Sequence, residues 1–226
     1  MNPKIIVKDM SFYYGAKKVL SNVSLEIPQA GITCISGPAG SGKSTFLRTL
    51  NRMNDAVPDH RLEGSVLLDG EDIYAKEFDP IELRRHVGMV FWRSKFNSPT
   101  VFEELAKLAK ISGAKNQSEI ETKVKDSLLQ AKLWDGISDR LEENPIALSV
   151  LEKKKLCMAR AIIQGPEVIL LDEPFDDLDA EDEARMRGLA QSIKENYTVV
   201  VTSQSAMRAT KGDYSFILES GKLKPA

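Results

Sequence analysis

The spacing of hydrophobic residues changes along the chain from the short period of strands to the longer period of helices, and then back again. The first third alternates as strands do, apart from a stretch of helical spacing between Lys43 and about Asn54. A turn is predicted at 14–16, where Tyr-Gly-Ala separates two strand-like runs. The apolar run 31–36 is bounded by glycines, which is typical of a strand buried on both faces. The strands predicted in this part of the chain are 5–7, 19–27, 31–36, 64–70 and 87–91.

The middle of the chain has a different composition from the rest. Between about Arg93 and Gly165, glycines and β-branched runs become rare, and Lys, Glu, Leu and Ala dominate. Apolar residues recur there at i, i+3 and i+4, as in Leu105 and Leu108, which is typical of amphipathic helices. The strand pattern returns at 168–171, 198–202 and 214–219, and one more helix is predicted at about 180–195. The pattern as a whole predicts an α/β fold into which a helical segment is inserted.

Composition excludes several classes of protein. The 226 residues are 42% hydrophobic and 28% charged, which is ordinary for a globular chain with a sizeable core. The formal net charge of -2 argues against a nucleic-acid-binding polycation, so we expect no nucleic-acid partner. Cys34 and Cys157 lie far apart in apolar contexts, which favours buried thiols over a disulfide or metal site. The first residues lack a signal-peptide core and no apolar run approaches the ~18 residues that span a bilayer, so we expect a cytoplasmic protein.

One segment carries a specific chemical signal. The run 37–44 matches the pattern G-x-x-x-x-G-K-[ST], and it follows a predicted buried strand and precedes a predicted helix. Glycines in this pattern let backbone N–H groups turn inward and surround phosphate groups. Lys43 would contribute a positive charge to the outer phosphates, and the Ser44 hydroxyl is a candidate Mg²⁺ ligand. The alternative is a glycine-rich turn that binds no ligand. The candidate nucleotide-binding residues here are Gly37, Pro38, Ala39, Gly40, Ser41, Gly42, Lys43, Ser44 and Thr45.

Two carboxylates follow the predicted strand 168–171. Asp172 and Glu173 stand at the carboxyl end of this apolar run, where α/β sheets bind their ligands. We expect Asp172 to reach a Mg²⁺ ion through water, and Glu173 to polarise the attacking water as the catalytic residue. Taken alone, the pair could also be a solvated acidic turn. Together with the glycine-rich segment, it predicts binding of a nucleoside triphosphate with Mg²⁺.

A more specific resemblance lies in stretches outside these two motifs. The stretches are 45–55, 68–74, 83–91 and 156–161. Together with the two motifs, these stretches make nearly the whole chain resemble the ATP-binding subunit of an ABC transporter. The chain is most similar to the ATPase of phosphate importers. The resemblance implies that ATP and Mg²⁺ are the cofactors, and that Ser44 and Asp172 form the metal site. It also implies that Tyr14 stacks on adenine, and the alternative is a solvated tyrosine in a turn.

The resemblance also implies a fold and partners. The fold is a P-loop NTPase fold of the ABC ATPase type, with a mixed-sheet core, an N-terminal antiparallel β part and an inserted helical subdomain. A single ATP-binding domain would cover 1–226, with 1–92 and 165–226 as the core and about 93–164 as the helical subdomain. The partners would be membrane-spanning transporter subunits and a second ATPase, either a copy of this chain or a relative. The chain would then lie in the cytoplasm, peripherally at the inner face of the cell membrane.

Three sites depart from the family pattern. Trp92 stands where the family has a glutamine that contacts Mg²⁺, and Ser203 stands where it has a histidine against the γ-phosphate. The stretch 148–152 reads Leu-Ser-Val-Leu-Glu, whereas the family signature is Leu-Ser-Gly-Gly-Gln. The valine and leucine add bulk where glycines permit close backbone approach, and Glu152 adds a negative charge near a polyphosphate. We therefore expect weak hydrolysis.

Two functions stay open at this point. The first is the ATP-binding subunit of an ABC-type importer related to phosphate, and the second is a non-hydrolysing regulatory partner of an intact ABC ATPase. A soluble ABC protein of repair or translation is disfavoured, because the chain has no coiled coil or tandem domain. A small P-loop kinase is disfavoured, because Asp172 and Glu173 suit water activation. The lysines at 153–155 are interpreted as a solvated helix face, and the acidic residues at 176–183 as the start of a helix.

Overall fold

The computed structural model describes residues 3–92, 95–204 and 213–226 and confirms the predicted α/β class. Its strands are β1 (Pro3–Tyr14), β2 (Lys17–Pro28), β3 (Gly31–Ser36), β4 (His60–Leu68), β5 (Glu71–Asp72), β6 (Val87–Val90), β7 (Val168–Leu171), β8 (Thr198–Ser203), β9 (Tyr214–Glu219) and β10 (Lys222–Pro225). Its helices are α1 (Lys43–Thr49), α2 (Pro80–His86), α3 (Val101–Ile111), α4 (Gln117–Gln130), α5 (Trp134–Ile137), α6 (Val150–Ile162) and α7 (Ala180–Ile193), with 3₁₀ turns at Met53–Ala56 and Pro145–Ala147. Within these ranges, no helix has the length and apolar character needed to cross a membrane.

The larger sheet brings the candidate residues to one edge. Its six strands have the order β10-β9-β3-β8-β7-β6, with β10 antiparallel to β9 and the other neighbours parallel. Ser36 at the end of β3 pairs with Ser203 at the end of β8, and Leu171 at the end of β7 pairs with Val201. The carboxyl ends of these parallel strands therefore meet at one edge, where α/β sheets bind ligands.

The central strands of this sheet are buried on both faces. Ile169 and Leu171 of β7 pack in the apolar cluster that contains residues of helices α3 to α7. Val168 and Leu170 pack in a second cluster, formed with the smaller sheet and with α1 and α2. Burial on both faces explains why β7 is apolar without alternation, and why its pattern could be read from the sequence.

The smaller sheet is antiparallel, with the order β2-β1-β4-β5, as predicted for the N-terminal part. Strand β1 covers 12 residues, far more than the short run predicted at 5–7. A register shift between Val7 and Met10 and a positive φ of 47° at Asp9 interrupt its alternation. Irregularities of this kind put extra residues on one strand, so the period of two that predicts a strand disappears from the sequence.

Helix α1 ends earlier than the helical spacing predicts. The periodic pattern continues to about Asn54, but the helix ends at Thr49 and Arg52 takes a left-handed φ of 56°. The Tyr74 hydroxyl donates to the Thr49 carbonyl oxygen at 3.1 Å, and Arg84 donates to the Arg52 carbonyl oxygen at 2.9 Å. Side chains from elsewhere therefore satisfy the carbonyls at the end of the helix, which no local pattern can predict.

Strand β10 was not predicted from the sequence. It has four residues and pairs with β9 across a turn in which Ser220 and Gly221 have φ values of 48° and 75°. Positive φ at both central residues is the conformation that tight hairpins favour. The strand is mostly exposed, so it lacks the apolar alternation that identifies longer strands.

A charged cluster joins the two sheets on the far side from the candidate site. Lys4 of β1 is almost fully buried and bonds both Asp69 and Glu167, the residue just before β7. His86 Nδ1 lies 2.8 Å from Glu167 Oε1. The hydrogen bond from Lys4 first, and then that from His86, lower the pKa of Glu167.

We expect Glu167→Gln to lower the free energy of unfolding at pH 7 by up to about 1 kcal/mol, because solvent screens a half-exposed ion pair. Since the folded-state pKa of Glu167 is lowered, its contribution is complete above the usual value of 4.5 and is lost as the pH falls through the folded value. Urea unfolding of the parent and the variant at pH 7 and pH 3 measures the difference. A difference of the same size at both pH values would contradict this account.

Candidate nucleotide-binding site

The glycine-rich segment after β3 is a close-fitting loop. Gly37 has a φ of 155°, and a Cβ atom added there would lie 2.1 Å from the carbonyl oxygen of Leu218. The Gly37 N–H donates to the Ser203 carbonyl oxygen at 3.2 Å, which ties the loop to the end of β8. Gly40 also has a positive φ, of 76°, but open space surrounds it. The loop therefore needs glycine at these positions for two different reasons, namely close packing and backbone conformation.

The Ser41 side chain is a buried polar group that a ligand would satisfy. It is 5% exposed, and its hydroxyl has no hydrogen-bond partner in the described part of the chain. Leaving a buried hydroxyl unpaired costs about 1–3 kcal/mol, so such groups are uncommon unless a ligand pairs with them. A phosphate oxygen is an acceptor of the required kind, and the residues of this loop therefore fit a polyphosphate.

Lys43 opens helix α1 and turns back over the loop. Its Nζ donates to the carbonyl oxygens of Gly37 and Pro38 at 2.8 and 3.0 Å. The same ammonium lies 3.1 Å from Oε1 of Glu173, so the basic and the catalytic candidates form an ion pair. The structure thus brings together residues that are 130 positions apart in the sequence.

Asp172 lies where the two predicted motifs meet. Its Oδ1 accepts hydrogen bonds from the Ser44 hydroxyl at 3.0 Å and from the Thr202 hydroxyl at 2.8 Å. Arg48 of α1 lies 3.9 Å from Oδ2. A hydroxyl and a carboxylate in contact at a strand end are oxygen ligands of the kind that Mg²⁺ prefers. Thr202 is a site residue that the sequence reasoning missed, because only the pairing of β7 with β8 brings it to Asp172.

Glu173 has a left-handed backbone conformation. Its φ is 51°, which costs a non-glycine residue about 1–2 kcal/mol. Its N–H donates to the Thr202 hydroxyl oxygen at 3.0 Å. The same threonine therefore contacts both carboxylate residues, and it fixes the turn that aims Glu173 at Lys43.

A second carboxyl group lies beside Glu173. Burial first, and then the negative charge of Glu173 and a hydrogen bond with it, raise the pKa of Asp176 above its usual value of 3.8. Two neighbouring carboxylates disfavour double ionisation, so Asp176 keeps its proton to a higher pH than an isolated aspartate does.

These carboxylates line a cavity of about 690 Å³ between the sheet edge and the start of α6. Its lining combines acidic, basic, aromatic and apolar side chains. The lining residues are Arg48, Met89, Val90, Phe91, Trp92, Val150, Lys153, Lys154, Asp172, Glu173, Asp176 and Asp177.

Two of the lining residues bond the backbone after β7, and one of them differs from what the sequence suggested. Lys154 was interpreted as part of a solvated face, but it is 5% exposed and its Nζ donates to the Pro174 carbonyl oxygen at 3.0 Å. Trp92 follows β6, and its indole N–H donates to the Asp172 carbonyl oxygen at 2.9 Å. Both side chains contact the backbone of the turn that carries Glu173.

The stretch 148–152 leads into helix α6. Ser149 is its N-cap, and Ser149 and Glu152 form a reciprocal capping box. Glu152 also accepts from Arg140 at 3.0 Å. Burial raises the pKa of Glu152, but the bonds from Ser149 and Arg140 outweigh it and lower that pKa. Leu151 is buried in its own chain, whereas Val150 is 53% exposed. Of the two bulky residues in this stretch, only the valine is therefore exposed. The negative charge of Glu152 is already paired with Arg140.

The remaining predicted residues lie at the margins of the site. Tyr14 at the end of β1 is half-buried, and its hydroxyl donates to Asn54, which in turn donates to the Thr45 carbonyl oxygen at 2.9 Å. Contact of Tyr14 with adenine stays a prediction. The acidic run begins helix α7, where Asp179 is the N-cap. Across the described ranges, no group of three or more His, Cys, Asp or Glu side chains is arranged to hold a metal ion by itself.

Comparisons with known proteins give a family match and a shared fold. A family model described as "ABC transporter" matches residues 20–176. Among solved structures, cbiO1 from Clostridium perfringens, part of the ABC transporter complex cbiONQ, superposes with a TM-score of 0.86 at 21% identity over 99% of this chain and 88% of that one. A bacterial Atm1-family ABC exporter with ATP bound gives a TM-score of 0.78 at 24% identity over 99% of this chain, which spans only 38% of the exporter chain. At these identities the structural likeness establishes the fold.

Gly37→Ala and Gly40→Ala form a matched pair that tests the loop. Both positions have positive φ, but only the first meets a backbone atom at 2.1 Å. We expect Gly40→Ala to lower the free energy of unfolding by about 1 kcal/mol and Gly37→Ala by several times as much, since a neighbouring strand must move. Urea unfolding measures both. Equal losses would mean that the contact with Leu218 does not constrain the loop.

Proposed function

The chain belongs to the ABC transporter family, and from that premise we propose that it is the ATP-binding subunit of an ABC-type importer related to phosphate uptake. In this role it works with membrane-spanning subunits and lies peripherally at the inner face of the cell membrane. The core at 1–92 and 165–226 binds ATP, and the segment at about 93–164 forms the helical subdomain. The named transporter assemblies among the similar structures support membrane partners.

The contact between the Ser44 hydroxyl and the Asp172 carboxylate is the observation that carries this proposal. These two oxygens lie 3.0 Å apart, and the unpartnered Ser41 hydroxyl lies in the same loop. Ser44 would ligate Mg²⁺ and Asp172 would reach it through water, while the loop N–H groups and Lys43 bind the phosphates. Bound Mg²⁺ neutralises charge that develops on the transferred phosphoryl group.

Glu173 would act on water only after Lys43 has moved to a phosphate. The two side chains form an ion pair at 3.1 Å. A phosphate that takes over the ammonium releases the carboxylate, which can then polarise a water molecule. Binding of nucleotide thereby prepares the catalytic candidate.

The relation to phosphate import has its support in sequence. The stretches 45–55, 68–74, 83–91 and 156–161 resemble the phosphate-importer ATPase more closely than the general motifs require. The membrane-spanning and binding subunits of an importer select its substrate. The relation to phosphate is therefore proposed from the resemblance of these four stretches.

The departures from the family motifs favour weak hydrolysis and support a second candidate function. Trp92 and Ser203 replace residues that contact Mg²⁺ and the γ-phosphate in the family, and Val150 is exposed where the partner's nucleotide would approach a glycine. Losing one preorganised contact of this kind costs about 10²–10³ in rate. A non-hydrolysing subunit that binds ATP and regulates an intact ABC ATPase is therefore the second candidate, in a homodimer or a heterodimer.

Removing the charge of Lys43 tests the site directly. We expect Lys43→Ala to abolish measurable Mg-ATP binding in calorimetry. Lys43 is the one positively charged residue among the candidate nucleotide-binding residues 37–45, and it would bind the outer phosphates. Lys153→Ala is the control, since Lys153 carries the same charge near the same cavity. ATP binding by Lys43→Ala at the parent's affinity would show that the site assignment is wrong.

Restoring the signature tests the second candidate. Because Leu151 is buried in its own chain, the useful variant is Val150→Gly with Glu152→Gln, in which glutamine still completes the capping box. On a Glu173→Gln background we expect ATP-dependent dimerisation to become about tenfold tighter, as backbone donors reach the partner's phosphate.

Sedimentation with and without ATP measures this change. Ile146→Gly is a control, because it shortens an exposed apolar side chain near α6 outside the signature. A parent that already dimerises as tightly as the restored variant would remove the main support for a regulatory, non-hydrolysing role.

A further inference from the structure

Three hydrogen bonds fix the strained turn that carries Glu173. The residue has a φ of 51°, and its own N–H donates to Thr202 at 3.0 Å. The carbonyl on its amino side, that of Asp172, accepts from Trp92 at 2.9 Å. The carbonyl of the following residue, Pro174, accepts from Lys154 at 3.0 Å. Side chains from other elements therefore hold the peptide unit before Glu173 and the peptide unit after Pro174.

Trp92 and Lys154 also contact each other. The Lys154 ammonium lies 5.3 Å from the centroid of a Trp92 ring, within the range of a cation–π interaction. Trp92 follows β6, whereas Lys154 belongs to α6 in the helical part of the chain. The contact therefore joins the segment after β6 to helix α6, and both side chains also bond the turn after β7.

Packing alone does not explain a lysine at this position. Lys154 is 5% exposed, and burying an ammonium is unfavourable unless hydrogen bonds and charges compensate it. An apolar residue of similar length would fill the space at lower cost. The bond to the Pro174 carbonyl gives the charge a structural use, namely holding the turn from the side of α6.

We propose that Trp92 and Lys154 are a pair of positioning residues that hold the turn 172–174, and with it the Asp172 and Glu173 carboxylates, in the orientation that the nucleotide site needs. The pair replaces the glutamine at this position of the family with a direct contact to the backbone of the turn. A displacement of α6 relative to β7 would break the Lys154 bond and release the turn. The part of this proposal that concerns nucleotide rests on the proposed function, whereas the positioning can be measured without it.

The first test observes Trp92 in the nucleotide-free protein. The chain has two tryptophans, so the ¹⁵N spectrum has two indole signals, and Trp134→Phe assigns them. We expect slow hydrogen exchange of the Trp92 indole proton, and we expect Lys154→Met to accelerate it about tenfold or more. Lys153→Met, the matched control one position away on α6, should leave it unchanged. An unchanged Trp92 signal in Lys154→Met, or an equal effect of Lys153→Met, would overturn the proposal.

The second test distinguishes positioning from general stabilisation. Calorimetry compares ATP binding with Mg²⁺ and with EDTA in the parent, in Lys154→Met and in Trp92→Phe, which keeps an aromatic face but loses the indole donor. We expect the ratio of ATP affinity with Mg²⁺ to ATP affinity in EDTA to fall about tenfold in both variants. Their ATP affinity in EDTA should equal that of the parent. A full Mg²⁺-dependent gain in both variants would overturn the inference and leave the proposed function intact. A parent that binds no ATP would instead refute the proposed function, and the indole exchange would still decide the inference.

Discussion

The shared hydrogen bonds of the Asp172 carboxylate and the Thr202 hydroxyl determine the geometry of the site. Asp172 accepts from Ser44 at the start of α1 and from Thr202 at the end of β8, and Thr202 accepts from the Glu173 N–H. These contacts join the ends of three elements that lie far apart in the sequence. Buried polar groups are costly unless they are paired, so the bonds constrain the loop, the strand and the turn together.

The sheet makes these contacts possible. Its parallel strands place the ends of β3, β7 and β8 side by side, and apolar clusters on both faces hold the strands in that register. The antiparallel sheet and α1 cover one face, and α3 to α7 contribute to the cluster on the other. The edge of the sheet is thereby left for polar groups, and the helical side brings Lys154 of α6 to it.

Sequence reasoning reached the parts of this arrangement that have a local pattern. The loop after β3 and the carboxylates after β7 each follow a buried strand, and parallel strands with such ends place them together. Thr202 was not assigned a role, because its hydroxyl acts only through the pairing of β7 with β8. Lys154 was misinterpreted, because a lysine in a basic triplet resembles a solvated residue until its tertiary partners are known. Leu151 was expected to add bulk where glycine permits close backbone approach, but the phase of α6 directs it into the core.

The central claim is that Ser44 and Asp172 serve one bound Mg²⁺ ion together, and a double-mutant cycle tests it most directly. Calorimetry of Mg-ATP binding compares the parent, Ser44→Ala, Asp172→Asn and the double variant, with ATP in EDTA as the reference. We predict that each single change weakens Mg-ATP binding by about tenfold and that the double variant is hardly weaker than the weaker-binding single variant, because both groups act on the same ion. Independent, multiplying effects of the two changes would contradict the account.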